Sequence, residues 1–285
     1  MLRLPQHDGV ETDRRSPQDR THWWRARRHH DLEGLTASFR RHRYAPHSHD
    51  TYVVGIVLAG CDVYTLRGER RLAGAGTLTL IDPGEVHDGA PLEEGYAYRM
   101  TYPAPALLAE LAGDLGLGHR APHFPEPVVD DPVAAAALLA AHRALEGPGD
   151  PLAADEALLR AFGLILRRHG DFAAGEPGDP PASAGAVARV RDRLEAGYTA
   201  SPGLAELAAL AGLSRHHLLR LFKRETGLTP HAYLTDCRVR AARRLLRDGM
   251  MPAEVADACG FCDQSHLNRA FKQRAGSAPG AYRAA

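Results

Sequence analysis

The chain has 285 residues, 44% of them hydrophobic and 25% charged, and its 35 Lys and Arg are balanced by 35 Asp and Glu. That length calls for two domains of about 100–150 residues, and the composition is that of a globular rather than a disordered chain. No apolar run reaches the roughly 18–20 residues that span a bilayer, residues 1–20 lack the apolar centre of a signal peptide, and four scattered cysteines make no disulfide framework, so a cytoplasmic protein without membrane contact is expected.

In chain order, residues 1–30 read as a loosely ordered leader, with Trp23 and Trp24 available to dock onto the body. Short β-rich runs follow at 51–58, 62–68, 76–85 and 96–102, separated by turn residues, as in a small sandwich or barrel. After Pro103 the apolar spacing becomes helical, over 106–116, 131–146 and 155–170. The Pro-, Gly- and Ala-rich stretch 175–185 marks a linker. Everything beyond it reads as helix. The expected fold is therefore α+β: a sheet-rich domain with helices over 31–174, then an all-α domain over 186–285. Charge divides along the same line. From Ala184 to the end there are 16 Lys and Arg against 9 Asp and Glu, so a basic module is joined to an acidic one, as in a polyanion binder.

The all-α part contains itself twice. AELAALAGL (205–213) matches AEVADACGF (253–261) at an offset of 48, and SRHHLLRLFKRETGLTPHAY (214–233) matches DQSHLNRAFKQRAGSAPGAY (263–282) at an offset of 49. The one-residue difference is Cys262, in the turn. Each copy predicts a short helix, a turn with Gly212 or Gly260, and a second helix capped by Ser214 or Asp263. Its buried stripe is Leu218, Leu221 and Phe222, or Leu267, Ala270 and Phe271. A helix-turn-helix requires this layout, with the exposed face of the second helix reaching base edges in the major groove. The Cys259–Cys262 pair reads as structural, because no second ligand pair completes a zinc site.

The last hundred residues, and 253–282 above all, resemble the DNA-binding domain of AraC/XylS-type regulators. The resemblance implies two helix-turn-helix units joined by a long helix at about Pro230 to Arg247, with the recognition helices one DNA turn apart. The implied DNA-binding residues are Arg215, His216, Leu219 and Arg220 in the first, and Gln264, Ser265, Asn268 and Arg269 in the second. Most of these donate or accept at base edges. Leu219 departs from that, since it offers only apolar contact with a thymine methyl. Promoter DNA is the expected partner, with RNA polymerase a second if the chain is an activator, which is preferred to a repressor. The helices at 131–146 and 155–170 are assigned to a homodimer contact.

Two N-terminal fragments, HSHDTYVVGIVLAG (47–60) and GTLTLIDPGEVHDG (76–89), resemble the motifs of a cupin barrel. The family's metal-binding Glu falls at Val53, Asp82 replaces the usual Pro and Pro91 the usual Asn, but three histidines survive. His47 and His49, two apart, point to one side of a strand. With His87 facing them, and Glu85 as a fourth ligand if its backbone is extended, the set suits Zn²⁺, Fe²⁺, Ni²⁺ or Mn²⁺. The alternative is an organic-ligand pocket in which the histidines bond one another and backbone. Tyr52, Tyr64 and Tyr98 are candidate wall residues, with Tyr96 and Arg99, although Tyr98 and Arg99 cannot both face inward. The expected protein is an effector-responsive regulator. The competing class is a metal-dependent cupin enzyme, disfavoured by Val53 and by the fused DNA-binding domain.

Overall fold

A computed structural model describes residues 19–172 and 182–285. Eight strands form one sheet: β1 (Arg20–Ala26), β2 (Leu32–Phe39), β3 (Tyr44–His47), β4 (Val53–Leu66), β5 (Glu69–Gly74), β6 (Leu78–Ile81), β7 (His87–Tyr102) and β8 (Val128–Val129). Their order is β1-β2-β7-β4-β6-β8, with β3 on β7 and β5 on β4, and the pairs are antiparallel. Two expectations are corrected here. Arg20–Ala26 pairs along its whole length with β2, so the expected leader stops short of residue 20; residues 1–18 lie outside the described residues. The runs 51–58 and 62–68 are not separate strands but one, β4, whose register against β7 slips on either side of Gly60.

Side-chain alternation divides the sheet into two faces. Val54, Ile56, Leu78 and Leu80 pack against helices α1 (Pro105–Asp114), α2 (Pro132–Glu146) and α3 (Pro151–His169), through Leu108, Leu138, Leu158 and Phe162. Val53, Tyr64, Tyr96, Tyr98, Met100 and Tyr102 face the other way. Arg99 therefore points outward, where it bonds His142 and Glu146 of α2.

The described residues from 182 onward are helical: α4 (Ala182–Ala196), α5 (Leu204–Ala211), α6 (Arg215–Thr226), α7 (Pro230–Arg247), α8 (Pro252–Ala258), α9 (Gln264–Ala275) and α10 (Pro279–Arg283). Helix α4 takes up the last residues of the expected linker, and 173–181 lie outside the described residues. Helix α7, 18 residues and so about 27 Å long, joins the two repeats as the family resemblance implies. Among the described residues no helix is long and apolar enough to cross a membrane.

The inner face of the sheet does not close on itself. Its apolar cluster runs on without a break into the second repeat, where Val239, Ala242, Leu246, Phe271 and Tyr282 are buried with it. At Gly276, with φ +70°, a Cβ would stand 2.5 Å from the Tyr44 hydroxyl oxygen, so only glycine allows this close an approach of the two domains.

Candidate effector pocket and nucleic-acid interface

Both repeats build the motif that their sequence predicts. Gly212 and Gly260 follow the first helices in the left-handed region (φ +67° and +74°), turning the chain at once. The Ser214 hydroxyl then accepts from the His217 N–H at 3.3 Å, and the Asp263 carboxylate accepts from the His266 N–H at 2.6 Å. These caps start α6 and α9 on a defined residue and so set which side chains face out. Leu218, Leu221, Phe222, Leu267, Ala270 and Phe271 are buried. Arg215, His216, Arg220, Gln264, Ser265, Asn268 and Arg269 are exposed, and Leu219 is half-buried. Exposed Lys223 and Arg224 extend the basic face of α6. Cys259 is buried at the end of α8 while Cys262 is exposed, and neither belongs to a metal-ligand cluster among the described residues.

The second candidate site lies on the inner face of the sheet. His47 on β3 stands directly opposite His87 on β7, and His49 sits just beyond the end of β3. The ring centroids are 4.6 Å (His47–His87), 4.9 Å (His47–His49) and 5.3 Å (His49–His87) apart. All three are buried, and one nitrogen from each lies within 4.8 Å of the others. Three nitrogens on one Zn²⁺ at about 2.1 Å would be about 3.4 Å apart, so the rings need close by only about an ångström. Their tautomers bear on this. His47 Nδ1 bonds the Ala45 carbonyl at 2.8 Å and His87 Nδ1 bonds the Glu85 carbonyl at 3.0 Å. A carbonyl only accepts, so each Nδ1 carries the proton and each Nε2 offers a lone pair, the orientation that a metal ligand requires. Burial holds the His47 and His49 pKa values well below the usual 6.5, helped for His47 by His87 and for His49 by His47 and Arg243. Burial also lowers His87. Neutral imidazoles are the ligating form.

The cavity in front of these rings measures about 50 Å³. That holds a few waters or one hydrated ion, and is small against the roughly 300–1,000 Å³ of organic-ligand pockets. Tyr64 and Tyr98 line it as expected, and Tyr96 joins them. The Tyr96 hydroxyl is buried without a hydrogen-bond partner.

Two expected site residues are elsewhere. Glu85 does not gather with the histidines: the backbone between β6 and β7 turns rather than extends there, and its carboxylate accepts from Arg67 Nε at 2.6 Å and from the Asp82 N–H at 3.1 Å. Tyr52 is on the opposite face, its hydroxyl donating to the Pro122 carbonyl and its ring edge-on to Phe124.

Residues not foreseen complete the pocket. Asp62, two before Tyr64 and so on its face, is buried there, and burial pushes its carboxyl up to about 7. Alternation along β4 pointed to it. Arg243 of α7 and Arg274 of α9 line the pocket from the helical domain. No local pattern pointed to either, because both come from the other domain.

Comparison with known proteins agrees with this architecture. Residues 29–162 match the AraC-like ligand binding domain family, and residues 207–285 a helix-turn-helix domain family. The HTH-type transcriptional regulator YbfI of Bacillus subtilis (strain 168) is 28% identical over 235 residues, 79% of this chain and 82% of that protein. The transcriptional activator NphR of a Rhodococcus species is 43% identical over 81 residues, 28% of this chain and 24% of that one. Wild-type ToxT of Vibrio cholerae, solved with an unsaturated fatty acid bound, shares the fold with a TM-score of 0.53 at 11% identity, over 88% of this chain and 94% of its own. The chain is therefore a transcriptional regulator with an AraC-like ligand binding domain and a helix-turn-helix domain on one polypeptide, similar in both parts to the AraC-type regulators.

Proposed function

We propose that this regulator binds promoter DNA in a sequence-specific manner through the exposed faces of α6 and α9, and that its effector is a divalent metal ion held by His47, His49 and His87. The observation that carries the metal reading is the pair of Nε2 lone pairs on His47 and His87, left free by Nδ1 bonds to backbone carbonyls, on rings that gather with His49 beside a cavity of about 50 Å³. With Glu85 withdrawn, an all-imidazole set favours Zn²⁺, Fe²⁺ or Ni²⁺ over the oxygen-preferring Mn²⁺. When bound, the metal supplies a fixed positive charge, with waters completing its shell.

The protein acts in the cytoplasm as an activator and a regulator rather than an enzyme, and works as a homodimer. Exposed Leu152 and Leu159, seven apart on α3, support a self-contact there. Elemental analysis of protein purified without chelator tests the effector, with about one metal per chain expected. A mobility-shift titration on the promoter beside the protein's own gene is then run with Zn²⁺ or with chelator. A metal content of a small fraction per chain, or DNA affinity indifferent to Zn²⁺, overturns the metal reading.

A further inference from the structure

The segment that carries two of the three histidines is held by the DNA-binding domain at each of three successive residues. The Ser48 hydroxyl donates to Asp236 at 2.7 Å, and the Ser48 N–H donates to the same carboxylate at 3.2 Å. Arg243 Nη1 reaches His49 Nδ1 at 2.7 Å. Asp50 accepts from Arg240 and, at 2.8 Å, from Arg244. Positions 236, 240, 243 and 244 form one stripe of α7, the helix that joins the two recognition units. Arg243 is the centre of the grip: it is largely covered, pairs with Glu33 at 3.0 Å, and stacks over Trp23, Tyr102 and Tyr282 at 5.1–5.5 Å.

The Arg243–His49 bond conflicts with metal ligation at His49. A guanidinium only donates, so the neutral His49 ring accepts at Nδ1 and carries its proton on Nε2. His47 and His87 are in the opposite tautomer. If His49 ligates through Nε2, its proton must move to Nδ1, which then cannot accept from Arg243. If it ligates through Nδ1, the lone pair that Arg243 uses is consumed. Whichever nitrogen binds, the bond to Arg243 is lost.

We propose that a divalent metal and Arg243 are mutually exclusive partners of His49, so that filling the three-histidine site releases the 48–50 segment from α7 and frees the helix-turn-helix domain from the sheet. This rests on the metal reading above and adds the route by which the site reaches DNA. Arg243 is a positioning residue: it holds the closed arrangement and opposes the metal.

The test uses the full chain. Zn²⁺ affinity is measured by calorimetry for wild type, for Arg243→Gln, and for Asp50→Asn, a substitution at a half-exposed side chain that loosens the same grip without stranding a buried charge. In a Trp24→Phe background, Trp23 is the only tryptophan; it donates to Ser277 at 3.1 Å across the domain boundary and reports release by its emission and its quenching by acrylamide. Expected are binding at least tenfold tighter in Arg243→Gln, a smaller tightening in Asp50→Asn, and Trp23 becoming accessible on adding Zn²⁺. Binding in the Arg243 variant alone overturns the proposal, because the wild-type site then never fills to release the helix-turn-helix domain. Zn²⁺ binding to wild type with unchanged affinity in both variants, or with Trp23 still shielded, overturns the exclusion and leaves the metal site standing. No Zn²⁺ binding by any of the three proteins removes both.

Discussion

Because the three histidines are buried and neutral, the metal-free protein should lose stability on mild acidification, and His47 gives a measurable share. Unfolded, its imidazole titrates near 6.5; folded, burial and the neighbouring His87 hold its pKa well below that. As pH falls through 6.5 the unfolded chain takes up a proton that the folded chain refuses, so the equilibrium shifts toward unfolding. The contribution is fully present above 6.5 and is lost progressively below it. Between pH 7.5 and 5.5 the unfolded histidine alone sets a ceiling of about 1.4 kcal/mol, against a total stability on the order of 5–15 kcal/mol. Asp62 acts with the opposite sign: its carboxyl is raised to about 7, so the folded state binds its proton first and gains stability as pH falls. A difference measurement removes Asp62 and the other groups that His47 does not touch; His49, whose lowering owes most to burial, keeps most of its share in both proteins. Urea unfolding of wild type and His47→Gln, both in chelator at pH 7.5 and 5.5, should show wild type losing up to about 1.4 kcal/mol more than the variant. Equal losses would mean that His47 is protonated or solvated in the folded protein, and the neutral-imidazole site would fall with it.

On the DNA side, Arg220→Ala and Arg269→Ala should each weaken specific binding by about 1–3 kcal/mol with the fold intact, and a mobility-shift titration with both affinities unchanged would refute the reading-helix assignment. Removing the cap of α9 in Asp263→Ala should lower unfolding stability by about 0.5–2 kcal/mol, measured by chemical denaturation; no change would mean that the 2.6 Å bond to His266 contributes nothing net. If α3 carries the homodimer contact, Leu159→Glu should shift sedimentation toward monomer while circular dichroism stays the same, and an unchanged mass would place the contact elsewhere.

Much of this molecule was legible in its sequence because the features concerned are local. A capping residue, a glycine that turns the chain, and apolar positions three and four apart act within one or two helical turns. Ser214, Asp263, Gly212, Gly260 and the Leu218–Phe222 and Leu267–Phe271 stripes therefore fold as they read. The histidine trio came from the resemblance to two cupin motifs, and it was the pairing of β3 with β7 that brought His47 opposite His87. Tertiary structure decided what depends on groups far apart in the chain. The Pro83–Gly84 turn was legible, but not that Arg67, from the end of β4, would draw the Glu85 carboxylate away from the histidines. Tyr52 and Tyr64 read alike as aromatic wall residues, and only the register of β4, with its slip near Gly60, put them on opposite faces. Nothing in the sequence singled out Arg243 on the joining helix. That it stacks on Tyr102 and bonds His49, 194 residues earlier, follows from the docking of two domains, a sum of buried contacts with no periodicity in the chain to announce it.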